Sequence, residues 1–139
     1  MARKVICLDT SILIDYFRKK NKTKTFFFEL AKNYDVAISV ITKFEVLNGS
    51  NDEQKAFWDQ LFDGIQIIPL GEEEVEKASD IIKKLRAQNK LIELPDIFIG
   101  ATAITHNLKL ATLNKEHFGR IENLELILKE QKQNEKEVP

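Results

Sequence analysis

Short apolar runs alternate with longer helical segments along this chain, and three of the junctions between them carry an acid. Val5-Ile6-Cys7-Leu8 runs into Asp9-Thr10-Ser11, Ala37-Ile38-Ser39-Val40 leads towards Glu45, and Pro95-Asp96 opens an apolar helix. Runs as short as Val5–Leu8 and Ile65–Ile68 suit strands buried on both faces. Strands alternating with helices specify an α/β fold, a mostly parallel sheet with helices on both faces. The expected order is strand 4–8, helices 11–20 and 24–33, strand 35–39, helices 41–49 and 53–63, and strand 65–69. Helices 72–89 and 95–106 and strands 109–112 and 124–128 complete it. In an open α/β sheet, functional groups gather in the crevice beyond the carboxyl ends of the strands.

If Asp9, Glu45 and Asp96 converge in that crevice, the site is strongly anionic. At about 4 Å and an effective dielectric near 20, each like-charge pair repels by roughly 4 kcal/mol. A bound divalent cation is the simplest relief. Each acid also has a plain structural reading. Asp9 fits an N-cap for the helix that follows. Glu45 fits a capping box with Thr42. Asp96 sits behind Pro95 in a first helical turn, where the dipole favours an anion. Context tips the balance for Asp96. Ile97-Phe98-Ile99-Gly100-Ala101-Thr102-Ala103-Ile104 is apolar nearly all round, so it reads as a buried helix with one charge at its mouth. Such a charge is costly unless it is paired or bound to a metal.

With 139 residues and 43% hydrophobic content, one domain can build its own core. The single cysteine, Cys7, lies inside the first apolar run and reads as packing. One cysteine and two histidines leave too few soft ligands for a closed zinc site. No signal peptide or membrane span is expected, which makes the cytoplasm the default location. A net charge of −1 does not advertise a nucleic-acid binder. Two basic clusters stand out all the same, Arg18-Lys19-Lys20-Asn21-Lys22-Thr23-Lys24 and the set Lys83, Lys84, Arg86 and Lys90. Either could neutralise phosphates, but on charge alone a solvated loop and a solvated helix face are the preferred reading.

Helix 72–89 is expected to bury Val75, Ala78, Ile82 and Leu85, with Asp80 and Lys84 on its wet side. Phe57, Trp58, Leu61 and Phe62 have core spacing. Phe26-Phe27-Phe28 surrounds most of a helical turn, so one ring is expected at the surface, covering a partner or closing the core. Gly100, Ala101 and Ala103 make a smooth helix face for close packing, internal or intersubunit. Other chemistries find little footing. There is no dinucleotide or phosphate-loop glycine fingerprint and no nucleophile elbow. His106 reads as a helix-end residue, and His117 as a loop residue without a carboxylate partner in sequence.

Four motifs occur in order: Val5-Ile6-Cys7-Leu8-Asp9-Thr10-Ser11, Ser39-Val40-Ile41-Thr42-Lys43-Phe44-Glu45, Leu94-Pro95-Asp96-Ile97-Phe98-Ile99-Gly100-Ala101-Thr102-Ala103, and Leu110-Ala111-Thr112-Leu113-Asn114-Lys115-Glu116-His117-Phe118. Together they resemble the PIN-domain ribonucleases, specifically the VapC-type toxins of bacterial and archaeal toxin–antitoxin pairs. The resemblance runs from Val5 to about Leu128. It implies a three-layer PIN domain over residues 3–128, followed by a polar tail, 129–139, expected to fray. It also implies Mg2+- or Mn2+-dependent cleavage of RNA, a cognate antitoxin and a homodimer. By motif, Asp9, Glu45 and Asp96 carry over as the catalytic and metal-binding acids, with Thr10 or Ser11 supplying a hydroxyl. Many relatives have an aspartate where this chain has Asn114, which offers a neutral oxygen, and Glu116 is the nearest replacement charge. On this reading one ion is held tightly and a second arrives with RNA, while Lys19, Lys20 and Lys22 form a phosphate track. Two other functions fit the same motifs. They are a housekeeping RNA-processing nuclease without an inhibitor, and a silent RNA- or protein-binding module.

Overall fold

β1 (Val5–Leu8) alternates as a strand with two buried faces should: Ile6 and Leu8 enter one apolar cluster and Cys7 the other. The computed structural model, which describes residues 3–130, places β1 at the centre of a five-stranded parallel sheet of order β3-β2-β1-β4-β5. The other strands are β2 (Asp35–Ser39), β3 (Gln66–Ile68), β4 (Leu110–Thr112) and β5 (Leu126–Leu128). Helices α1 (Thr10–Arg18), α2 (Phe26–Ala31), α3 (Val40–Gly49), α4 (Lys55–Asp63), α5 (Glu72–Ala87), α6 (Leu94–Thr105) and α7 (Lys115–Phe118) connect them. The result is the three-layer α/β architecture expected. Among the described residues no helix is long and apolar enough to cross a membrane. The expected fraying of the tail lies, from residue 131 onward, outside the described residues.

The strand order fixes where a site can form. From β1 the chain steps outward to β2 and β3, then crosses back to lay β4 against the other side of β1. Cys7 pairs with Leu110 and Leu8 with Ala111, so the ends of β1 and β4 lie side by side. That point, where the direction of winding reverses, is the crevice of an open α/β sheet.

Each face of the sheet has its own core. On one, Ile12 and Leu13 of α1, Phe26, Phe27 and Leu30 of α2, and Trp58 and Phe62 of α4 pack on Ile6, Leu8 and Ile38. On the other, Ala78, Ile81 and Leu85 of α5 and Ile97, Ile99, Ala101 and Ala103 of α6 pack with Cys7 and Leu110. Packing corrects one sequence expectation and decides two others. The buried stripe of α5 is Glu74, Ala78, Ile81 and Leu85, so Ala78 and Leu85 are as expected while Glu74 and Ile81 take the places of Val75, which is half exposed, and Ile82, which is partly buried. Two of the three consecutive phenylalanines, Phe26 and Phe27, are buried, and the Lys32 ammonium sits 5.0 Å from the ring centre of Phe28. The small-residue face of α6 packs internally, since a Cβ on Gly100 would come 2.6 Å from Ile121 Cδ1. The expected helix 24–33 is shorter, because a 3-10 turn at Lys22–Lys24 precedes α2. Sequence reading did not anticipate α7, which is anchored by the fully buried Phe118.

Candidate active site at the β1–β4 crevice

Asp9 follows β1 directly and occupies the N-cap position of α1, yet its side chain makes no capping hydrogen bond. Its carboxylate turns to side-chain hydroxyls instead. Ser11 Oγ donates to Asp9 Oδ1 at 2.6 Å, and Thr112 Oγ1, from the end of β4, donates to Asp9 Oδ2 at 2.8 Å. The second of these bonds spans the crevice and joins residues 103 positions apart. The same two hydroxyls accept main-chain N–H groups of the last motif: Ser11 Oγ from Leu113 at 3.2 Å and Thr112 Oγ1 from Asn114 at 2.8 Å.

Asp9 is only 3% exposed. Burial pushes its carboxyl up from 3.8 to about 6, and the Asp96 charge pushes the same way. The Ser11 and Thr112 hydroxyls and the nearby Ile12 amide oppose the rise without cancelling it.

Glu45 approaches from α3. The capping box expected with Thr42 does not form, because the helix begins at Val40 and Ser39 caps it by accepting Ile41 N–H at 3.0 Å. Thr10 Oγ1 donates to Glu45 Oε1 at 2.6 Å and lies 3.3 Å from Thr42 Oγ1. Thr10 and Ser11, adjacent residues at the start of α1, therefore hold Glu45 and Asp9 respectively.

Asp96 lies in the first turn of α6, behind Pro95. Its Oδ2 is 3.0 Å from His117 Nδ1. This corrects the view of His117 as a loop residue without a carboxylate partner. His117 is on α7, and Asn114 caps that short helix, accepting His117 N–H at a long 3.4 Å. Asn114 Nδ2 also lies 3.0 Å from His117 Nδ1. Asn114 is thus tied to His117 through both polar atoms of its side chain.

The three acids share one end of the sheet without forming a cage. The Asp96 charge acts on Asp9, and Glu45 is linked to Asp9 through neighbouring threonine and serine. Among the described residues, no three of His, Cys, Asp and Glu converge as a ready-made ion cage. The expected convergence of three carboxylates is therefore corrected to a looser arrangement.

The predicted phosphate track divides. α1 is nine residues long, so Lys19 and Lys20 stand roughly 15 Å along its axis from Asp9. Lys19 pairs with Asp15 at 3.1 Å, and Lys20 is exposed. With Lys24, Lys32 and Lys129 they line a groove of about 910 Å3. Lys22 has a different job. Its ammonium donates to the carbonyls of Tyr16 and Phe17 at 2.5 and 2.7 Å and lies 5.1–5.8 Å from the ring centres of Tyr16, Phe17 and Phe57. It closes the carboxyl end of α1 and has little left for phosphate.

A family model for the PIN domain matches residues 6–124. The chain belongs to the PIN-domain family. Among its PIN-domain relatives, ribonuclease VapC1 of Methanocaldococcus jannaschii is 34% identical over 122 residues, covering 87% of this chain and 84% of the relative. Ribonuclease VapC1 of Rickettsia felis is 38% identical over 131 residues, covering 88% and 94%. The fold also matches VapBC2 from Rickettsia felis, solved bound to a DNA fragment from its promoter, with a TM-score of 0.76 and 25% identity over 91% of this chain and 99% of that one. A toxin–antitoxin complex from Klebsiella pneumoniae matches with a TM-score of 0.71 and 28% identity, over 88% and 95%. The resemblance to VapC-type PIN domains read from four motifs is therefore borne out across the domain.

Proposed function

We propose that this chain is a metal-dependent endoribonuclease, the toxin of a toxin–antitoxin pair, with its active centre at the β1–β4 crevice. The observation that carries this reading is the buried Asp9 carboxylate. It is fixed by Thr112 across the crevice, and burial and Asp96 make it a weaker acid than an ordinary aspartate. A fold keeps such a group when a cation or a reacting centre will use it.

The donor set suits a hard divalent ion. All donors are oxygens, and Asp96 Oδ1 takes no hydrogen bond among the described residues. Magnesium needs no protein cage, since one or two carboxylates, several waters and substrate phosphate complete its octahedron. Asp9 and Asp96 would hold the ion, with Glu45 contributing directly or through water. When bound, the ion makes a water acidic enough to attack and offsets charge on the phosphoryl oxygens. The chain's own part is to hold the oxygens ready: Ser11 and Thr112 fix both oxygens of Asp9, and Thr10 fixes Glu45. Lys19 and Lys20 lie where a phosphate backbone leaving the crevice along α1 would pass. Unpaired RNA suits such an open cleft.

The antitoxin reading rests on the family and on surface character. Phe44, Leu47, Leu91, Leu94 and Leu113 are large apolar side chains left exposed on or beside the segments that carry the acids. Apolar surface of that kind fits a protein partner, an antitoxin or a second copy in a homodimer. The natural setting of such a pair is the cytoplasm.

The test uses purified chain free of any partner, incubated with total cellular RNA and Mg2+ and then with chelator, with the cut sites mapped. Chelator-sensitive cutting at defined sites, abolished in Asp9→Asn and Asp96→Asn, supports the proposal. Binding of RNA without cutting would assign the chain to the silent modules instead. A short neighbouring reading frame whose product inhibits the cutting separates the toxin from a housekeeping nuclease.

A further inference from the structure

The last motif reaches the site through an imidazole. His117 Nδ1 is 3.0 Å from Asp96 Oδ2 and also 3.0 Å from Asn114 Nδ2. One ring nitrogen carries either a hydrogen or a lone pair, so it serves these two neighbours on opposite terms. Facing an ionised carboxylate, it must donate. Asn114 then acts through its oxygen, which accepts the His117 main-chain N–H. We infer that His117 is a positioning residue for Asp96, donating from Nδ1 to Oδ2, and that Asn114 acts on the site only by holding His117. This deepens the proposed active centre and rests on Asp96 serving as an ion ligand there.

Three observations support it. α7 is pinned by Phe118, which is 0% exposed, so the neighbouring imidazole is carried on a fixed turn. Arg120 N–H bonds back to His117 O at 3.2 Å and Ile121 N–H to Phe118 O at 3.1 Å, which secures the carboxyl end of that turn. The Asp96 side chain is 19% exposed and that of His117 37%, so their meeting point is partly shielded from water. An ion ligand whose second oxygen is held by a neighbour stays oriented before the ion arrives. Removal of such an outer partner typically weakens ion affinity 10- to 100-fold. Asn114 replaces a charge in this arrangement with a fastening.

The experiment measures Mn2+ affinity of the RNA-free protein by the paramagnetic resonance signal of unbound Mn2+. Wild type is compared with Asp96→Asn, His117→Ala, His117→Asn and Asn114→Ala. Asp96→Asn is expected to weaken binding strongly, and His117→Ala to weaken it 10- to 100-fold. His117→Asn should recover most of the loss, because its amide nitrogen stands where Nδ1 stood. Asn114→Ala should fall between wild type and His117→Ala. Unchanged affinity in His117→Ala beside weakened affinity in Asp96→Asn overturns this inference and leaves the active-centre assignment standing. Unchanged affinity in Asp96→Asn overturns both. Long-range proton–nitrogen correlations of the metal-free wild type give a second reading that involves no ion. They should show a hydrogen on His117 Nδ1, and a bare Nδ1 overturns the assignment.

Discussion

The two ends of α1 use buried or half-buried charge in opposite ways. At the carboxyl end, Lys22 gives its ammonium to two carbonyls and three aromatic faces, and its charge is consumed by the fold. At the amino end, Asp9 receives two hydroxyl hydrogen bonds, but among the described residues no cationic side chain pairs with it and Asp96 pushes against it. Both residues sit in motifs that sequence reading marks as functional. What separates them is whether the fold has already satisfied the charge. A side chain kept buried and short of a countercharge is available to something outside the chain, and a side chain with a full set of partners is not.

The largest expected effect tests the amino end. Asp9→Asn should lower the RNA cleavage rate by at least ~10³-fold, the scale on which removal of a charge-stabilising group acts. Gel-resolved cleavage at saturating Mg2+ reads this directly, and near-normal cutting would put the reaction elsewhere. Next comes stability. The folded protein holds the Asp9 proton more tightly than the unfolded chain, because its carboxyl is raised to about 6 from 3.8. The favourable contribution is therefore present below about pH 4 and fades as pH rises towards 6, leaving a penalty of about 3 kcal/mol above that range. Denaturant titrations of metal-free protein should accordingly show Asp9→Asn gaining on wild type between pH 4 and pH 7. A constant difference between the two proteins over that range would show that burial does not strain Asp9.

At the carboxyl end the effects are smaller and reversed in kind. Lys22→Met should cost about 2 kcal/mol of stability, because the carbonyl hydrogen bonds and the cation–π attraction disappear together. It should leave the salt dependence of RNA binding alone. Replacing Lys19 and Lys20 with alanine should do the converse, sparing stability and lowering the slope of log affinity against log salt by ~0.7 for each phosphate left without a cation. If Lys22→Met instead flattens that slope, the division drawn within α1 disappears.

Sequence alone carried the α/β class and the family, because apolar runs report burial directly and the four motifs lie in order along the chain, whereas the capping expected of Asp9 and of Thr42 with Glu45 does not form. It placed two of the four stripe residues of α5 one position late, since Glu74 accepts the Gly71 N–H and lies beside His106, which no helical pattern encodes. It did not find α7, which is four residues long and too short for periodicity to register. The Asn114-x-x-His117 spacing, an N-cap reaching the third residue, was the one local signal for it. Thr112 went unread because nothing in a Leu-Ala-Thr run says which strand will lie beside β1. That pairing is a property of topology, and the partnership of Asp96 with His117 follows from it. Lys22 was read as free because a dense basic run gives no hint of which lysine will turn inward.

The placing of β4 against β1 has a consequence for biosynthesis. During synthesis Asp9 emerges well before one of the two hydroxyls that fix it, because Thr112 follows 103 positions later. Until that later strand docks beside the first, Asp9 lacks its Thr112 partner and the crevice has only one wall. A nascent chain thus cannot close this pocket before β4 has been made, which gives an inhibitor time to be waiting.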